Sequence, residues 1–364
     1  VQNTDLGRRM AHTLVQRQRE LDPSRLSTYG GNNGINFKGI NQEMDVRGFN
    51  YHIKELDDYH KEHPTQPIIF SEVSSMVSSR GMYAKDSIKG YLPDYDLNKP
   101  RWGQTAEEWW KFTVERPWLM GGFVWTGFDY RGEPTPFTWP NVNSHFGIMD
   151  VCGFPKNTYY YYQSWWTDKD VIKIYPHWNG HKEGDKINVW CNSNADEVEL
   201  FLNEKSLGKK VMPRNGHLEW DVVYEPGKLE AIGLKNGKTI RTAVETTDKA
   251  YQIVLTPDRK TINADGNDVS VINVTVLDSK GREIPDAMNL IQFTLAGEAR
   301  ILGVGNGDPS SHEADNCLDG NWKRSLFNGK CQIILQSPEK EGEFALTASS
   351  EGMKSATATI IIKK

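Results

Sequence analysis

What most constrains this chain is a change of period near residue 170. Before it, apolar residues recur at alternating strand and helix spacings. After it, helical spacing disappears and short runs of strict alternation take over. Alternating strands and helices call for a parallel sheet with helices outside it, and the right-handed crossover rule then leaves a doubly wound sheet or a barrel. Short alternating strands separated by turn residues call for layered antiparallel sheets. At 364 residues the chain exceeds what one hydrophobic core usually serves, so the two patterns are expected in separate domains.

In the first stretch, Leu6, Met10, Leu14 and Leu21 mark one face of a helix closed by Asp22-Pro23. Strands are expected at 26–29, 45–51, 67–71 and 121–126, and helices at 54–63, 105–115 and 157–166. A complete (β/α)₈ barrel needs eight strands and typically about 250 residues. Four strands in 170 residues therefore read as its later half, with an N-terminal portion, and any secretion signal in it, expected to be missing.

Beyond residue 170, strands are expected at 186–191 (KINVWC), 197–202 (EVELFL) and 229–234 (LEAIGL), with turns at 208–210, 215–216 and 236–237 and a linker at 246–250. A second set follows at 251–255, 269–277, 291–295, 331–336, 344–349 and 356–362, interrupted by a long irregular loop at 303–322. The chain is thus read as multidomain. A partial (β/α)₈ TIM barrel over 1–170 precedes two immunoglobulin-like β-sandwich domains, 171–249 and 250–364.

Composition removes several function classes. A net charge of -5 offers no basic stripe for a phosphate backbone, and no run of about eighteen apolar residues could span a bilayer, so nucleic acid and membrane are not expected partners. Cys152, Cys191, Cys317 and Cys331 lack the close pairing of zinc or dithiol redox sites. Whether Cys317 and Cys331 form a disulfide stays open at this level. His60 and His63 lie in a solvated DYHKEH pattern, and 263–268 (NADGND) reads as a turn, so no metal is expected.

The informative segment for chemistry is 67–83, an apolar run that stops at Ser71-Glu72. Barrels place reactive groups where strands end. Asn50-Tyr51 and the 125–129 stretch close two other strands, so they converge on the same mouth. Retaining glycoside hydrolysis needs a carboxylate nucleophile and a second carboxyl about 5–5.5 Å away, and a tyrosine hydroxyl can orient the first. Eight of the twelve tryptophans fall before residue 170, a density that suits a sugar site.

The stretches SEVSSMVSSRG, GGFVWTGFDYRGEPTPF and HFGIMDVCGFPKNTYYYYQSWW resemble glycoside hydrolase family 2, in its β-galactosidase branch. The resemblance implies that Glu72 is the nucleophile, that Tyr51 orients it, and that Trp125 lines the sugar site. Arg80 and Lys156 fall in matching motifs, where they touch substrate, brace the loops, or serve only as ion pairs. No cofactor is implied, and bacterial periplasm or cell surface is the expected location.

One departure matters. The family's acid/base sits in an Asn-Glu pair at an earlier strand end, and residues 1–170 contain none. Asn203-Glu204 falls at an expected hairpin tip of the first sandwich, while Glu20, Glu43 and Glu55 sit on helices or loops. The expected function is a retaining β-galactosidase acting on terminal β-galactosides, with these residues inactive alone. The alternatives are a non-catalytic carbohydrate-binding or scaffold fragment, or a β-mannosidase or β-glucuronidase of the same family. The glucuronidases' Asn-x-Lys motif has no match between 126 and 160. Uncovered sheet edges further predict association with another copy or poor solubility.

Overall fold

The computed structural model describes residues 1–32 and 36–364. The chain parts into two compact units: residues 1–77 with 96–127, and residues 78–95 with 128–364. Each has its own framework, the first of strands and helices, the second mostly of strands.

The first unit is built on a parallel sheet of three strands in sequence order: β1 (Arg47–Asn50), β2 (Ile68–Ser74) and β3 (Leu119–Trp125). Helices α1 (Asp5–Leu21), α2 (Leu56–Glu62) and α3 (Ala106–Val114) accompany it. β1 is buried at all four positions and β2 opens on the apolar run Ile68–Phe70, as expected of parallel strands covered on both faces. Phe49, Ile68, Phe70 and Val73 are fully buried. α3 starts where a capping box predicts. Thr105 accepts from the Glu108 N–H, and Glu108 reaches back to the Thr105 N–H at 2.9 Å. The helix buries Trp109, whose ring meets Phe70 edge-on at 6.4 Å.

Two expectations for this unit need correction. Residues 26–29 form no strand, although they run beside β1, where Val46 N–H donates to Ser27 O and Asn50 N–H to Gly31 O. Gly48 permits that approach, since a Cβ there would stand 1.9 Å from the Tyr29 carbonyl oxygen. On α1, Leu6, Met10, Leu14 and Leu21 are exposed, and the inward face is Gly7, Ala11 and Val15. Close packing selects the small residues: a Cβ on Gly7 would meet the Val1 carbonyl oxygen at 2.2 Å.

In the second unit, α4 (Asn157–Trp166) docks on the sheets that follow it, through Tyr161 Oη to Asn215 O (2.7 Å) and Trp165 Nε1 to Gly216 O (3.2 Å). Residues 172–245 carry β4 (Ile172–Tyr175), β5 (Lys186–Ser193), β6 (Glu197–Leu202), β7 (Lys205–Val211), β8 (Leu218–Val223), β9 (Lys228–Lys235) and β10 (Lys238–Glu245). They form sheets ordered β4-β5-β8 and β10-β9-β6-β7, with Val189, Cys191 and Trp220 of one sharing a core with Val198, Leu200 and Leu229 of the other. The expected turn at 208–210 lies inside β7, whereas Asn203-Glu204 and Asn236-Gly237 make the hairpin turns, all four at positive φ.

Residues 252–363 form another pair of sheets, of four and five strands, around Ile272, Val274, Ile291, Phe293, Leu346 and Ile360. The strand Arg300–Gly305 takes the start of the stretch expected as loop. All four cysteines are free, which closes the question of a Cys317–Cys331 disulfide. Among the described residues, no helix is long and apolar enough to cross a membrane.

Candidate active site

Glu72 lies within β2 rather than beyond its end, because the strand runs on to Ser74. What frees its side chain is a register shift. Phe49 pairs with Phe70 but Asn50 pairs with Glu72, so Ser71 is an extra residue on β2. Bulges of this kind re-aim a side chain, and here one brings Asn50 and Glu72 level.

The carboxylate is then held by two neutral donors. Asn50 Nδ2 donates to Oε1 at 3.0 Å, and Tyr51 Oη donates to Oε2 at 3.2 Å. Ser71 Oγ donates to Asn50 Oδ1 at 2.7 Å, which fixes the amide with its NH₂ toward Glu72. Tyr51 Oη also shares a 2.6 Å hydrogen bond with Ser75 Oγ, and Tyr51 N–H binds the Glu72 carbonyl at 2.8 Å. Tyr51, His52, Ser74 and Ser75 all have positive φ, between 41° and 77°. Four non-glycine residues in the left-handed region at adjacent strand ends are a concentration of backbone strain, which structures usually retain where a site needs it.

Trp125 ends β3 beside them. It pairs with Ser74, and its carbonyl accepts from Ser75 N–H at 3.1 Å; the Trp125–Thr126 peptide is cis. The first unit therefore gathers Glu72, Tyr51 and Trp125 as the sequence predicts. It adds Asn50, Ser71 and Ser75, to which the sequence reading gives no role. The signal for Asn50 was its place at the end of β1, directly before Tyr51.

Arg80 and Lys156 belong to the second unit and are buried there. Arg80 Nε contacts Asp150 at 2.5 Å, and its other nitrogens donate to the carbonyls of Asn306, Phe327 and Asn328 at 2.6–3.1 Å. Lys156 Nζ spends its three protons on Asp129 (2.8 Å), Ser78 O (2.8 Å) and His145 O (3.1 Å). Burial pushes the Asp129 carboxyl up to about 6 against the pull of Lys156, and pushes His145 down to about 4, with Lys156 adding to that shift. Lys156 has no proton left for a ligand. Of the roles open to these cations, the geometry supports bracing, and nothing in it supports the substrate contact expected of them.

The other carboxylates weighed as acid/base are engaged elsewhere. Glu43 pairs with Arg8 and His12, Glu20 with Arg17, and Glu55 with His52. His60 stacks on Trp118 and His63 on Phe37.

A model of the glycoside hydrolase family 2 C-terminal domain 5 matches residues 253–359, and one of a domain of unknown function (DUF4982) matches 184–241. A β-galactosidase of Bacteroides ovatus is 41% identical over 368 residues, which covers 95% of this chain and 43% of that protein. The chain belongs with the C-terminal portion of glycoside hydrolase family 2. A β-glucuronidase of Formosa agariphila is 28% identical over 84% of this chain and 32% of its own length. Among solved structures, a β-glycosidase from Bacteroides vulgatus superposes with a TM-score of 0.87 at 32% identity, covering 97% of this chain and 49% of that one. The chain spans less than half the length of these family 2 relatives.

Proposed function

We propose that this chain is the nucleophile-bearing part of a retaining β-glycosidase acting on terminal β-galactosides. The observation that carries the proposal is the Asn50–Glu72–Tyr51 arrangement, in which the end of one parallel strand meets its neighbour at the last pair of their register. In this reading the three-stranded unit contributes the later strands of a (β/α)₈ barrel, and the two layered pairs of sheets are immunoglobulin-like sandwiches.

Glu72 attacks the anomeric carbon and displaces the aglycone oxygen, leaving an ester between sugar and carboxylate. Water then cleaves that ester and regenerates Glu72. Asn50 and Tyr51 aim the carboxylate without neutralising it, since each gives a hydrogen bond but no positive charge. Trp125 offers a face on which the sugar ring can stack. Protonation of the leaving group falls to a carboxyl group elsewhere in the parent enzyme, so these 364 residues alone are expected to be almost inert. General acid catalysis typically contributes about 10²–10⁴-fold.

The similarity to the Bacteroides ovatus protein favours the galactoside, while similarity to β-glucuronidases keeps a uronic acid as the second reading. Assays of the parent enzyme on paired aryl β-galactoside and β-glucuronide substrates decide between them. Galactoside kcat/KM at least 100-fold higher supports the first reading, and the opposite order overturns it.

A further inference from the structure

A cavity lies wholly within the second unit and plays no part in the proposed chemistry. Its volume is about 650 Å³, within the roughly 300–1,000 Å³ typical of small-molecule sites. α4, β4, the end of β10 and the second pair of sheets all contribute to its wall. The charges in that wall do not balance locally. Glu283 is paired with Lys330 at 2.7 Å, and Glu245 lies 3.8 Å from Arg282, which also binds Asp278. Asp94 accepts from Ser78 Oγ and from the Gly81 and Asn157 N–H groups.

Lys173 on β4 is different. Among the described residues its ammonium has no hydrogen bond and no ion pair, and it stands 5.2 Å from the centre of the Tyr160 ring. Burial, with the charge of Lys330 nearby, depresses its pKa. Lys173 is half-buried, so its ammonium is open to the cavity, and an anion entering there would meet a positive charge not already paired. Tyr160, whose hydroxyl also has no hydrogen-bond partner among the described residues, lines the same cavity. So does Asn273, whose amide oxygen accepts from Gln332 and whose side-chain NH₂ has no partner among the described residues. Phe154 adds an apolar face.

We infer that this cavity is a ligand site for a small hydroxylated carboxylate, with Lys173 binding the carboxylate, Tyr160 and Asn273 the hydroxyls, and Phe154 the apolar edge. A single unpaired cation matches a monoanion. A phosphate, with its greater charge, is best met by a guanidinium fork beside the ammonium, and Arg282 is already committed to carboxylates.

The test is calorimetric titration of the full-length parent enzyme, carrying Glu72→Gln to prevent turnover, with D-galacturonate as probe and D-galactose and inorganic phosphate as comparators. The expected result is galacturonate binding that Lys173→Met weakens at least tenfold and Tyr160→Phe weakens severalfold, with no comparable galactose or phosphate binding lost on the same substitutions. Absence of galacturonate binding, or binding indifferent to both substitutions, would overturn the proposal. Phosphate binding as tightly through Lys173 would overturn the carboxylate assignment. If Lys173→Met fails to fold, Tyr160→Phe decides alone.

Discussion

Glu72 and Arg80 are eight positions apart in one motif, yet they lie in different units and in opposite electrostatic settings. Glu72 is held by an amide and a phenol, both neutral. Asp150, the carboxylate that meets Arg80, is fully buried, paired to a guanidinium, and also accepts from the N–H groups of Cys152 and Phe154. The first arrangement orients a carboxyl group and brings no opposite charge to it. The second consumes a charge to hold loops together. Motif membership therefore does not assign a role; the partners of the charged group do.

The largest expected effect lies on the reactive side. In the parent enzyme, Glu72→Gln should lower kcat on the order of 10⁴-fold or more while leaving thermal unfolding nearly unchanged, because an uncharged isostere keeps the Asn50 contact. A variant retaining a tenth of the activity would erase the distinction between the two carboxylates.

On the structural side, Arg80→Met strands Asp150 as a buried charge and should cost about 3–5 kcal/mol in urea unfolding. A loss under 1 kcal/mol would mean that the Asp150 site is far wetter than its burial implies. Tyr51→Phe sharpens the picture from the other side. It removes one charge-assisted hydrogen bond, worth about 1.5–3 kcal/mol, so kcat should fall roughly 10- to 100-fold. An equal rise in KM with kcat unchanged would reassign Tyr51 to substrate binding.

The smallest effect concerns pH. His145 is held neutral down to about 4 in the fold, whereas unfolded histidine takes its proton near the ordinary value. Between about pH 4 and 6.5 the unfolded state thus binds more protons at this site, and stability rises with pH. Asp129, raised to about 6, acts with the opposite sign from its ordinary value up to about 6. His145→Gln should therefore make the slope of Tm against pH less positive across this window. An unchanged slope would contradict the buried, neutral assignment.

The order of strands and helices was legible because parallel strands and capped helices leave strong local signals. The 157–166 helix and the 269–277 strand appear at the expected bounds. What escaped was set by partners distant in sequence. The inward face of α1 is the small-residue face because the chain near Val1 packs close against it. Residues 208–210 read as a turn, yet Lys209 and Lys210 pair with Glu199 and Val198 of β6, and Gly208, at positive φ, falls at the register irregularity just before them. At the site, Glu72, Tyr51 and Trp125 stood out as residue types at strand ends. Asn50 was legible only as a polar strand end next to Tyr51; its hold on the carboxylate, and the part of Ser71 behind it, come from the one-residue register shift.

The central claim is that Glu72 forms the covalent intermediate. The most direct test is to trap the full-length parent enzyme with a 2-deoxy-2-fluoro-β-galactoside and locate the labelled peptide by mass spectrometry. The account predicts label on Glu72. Trapped enzyme whose label lies outside residues 67–83, or no label in enzyme that turns over the parent galactoside, would contradict it.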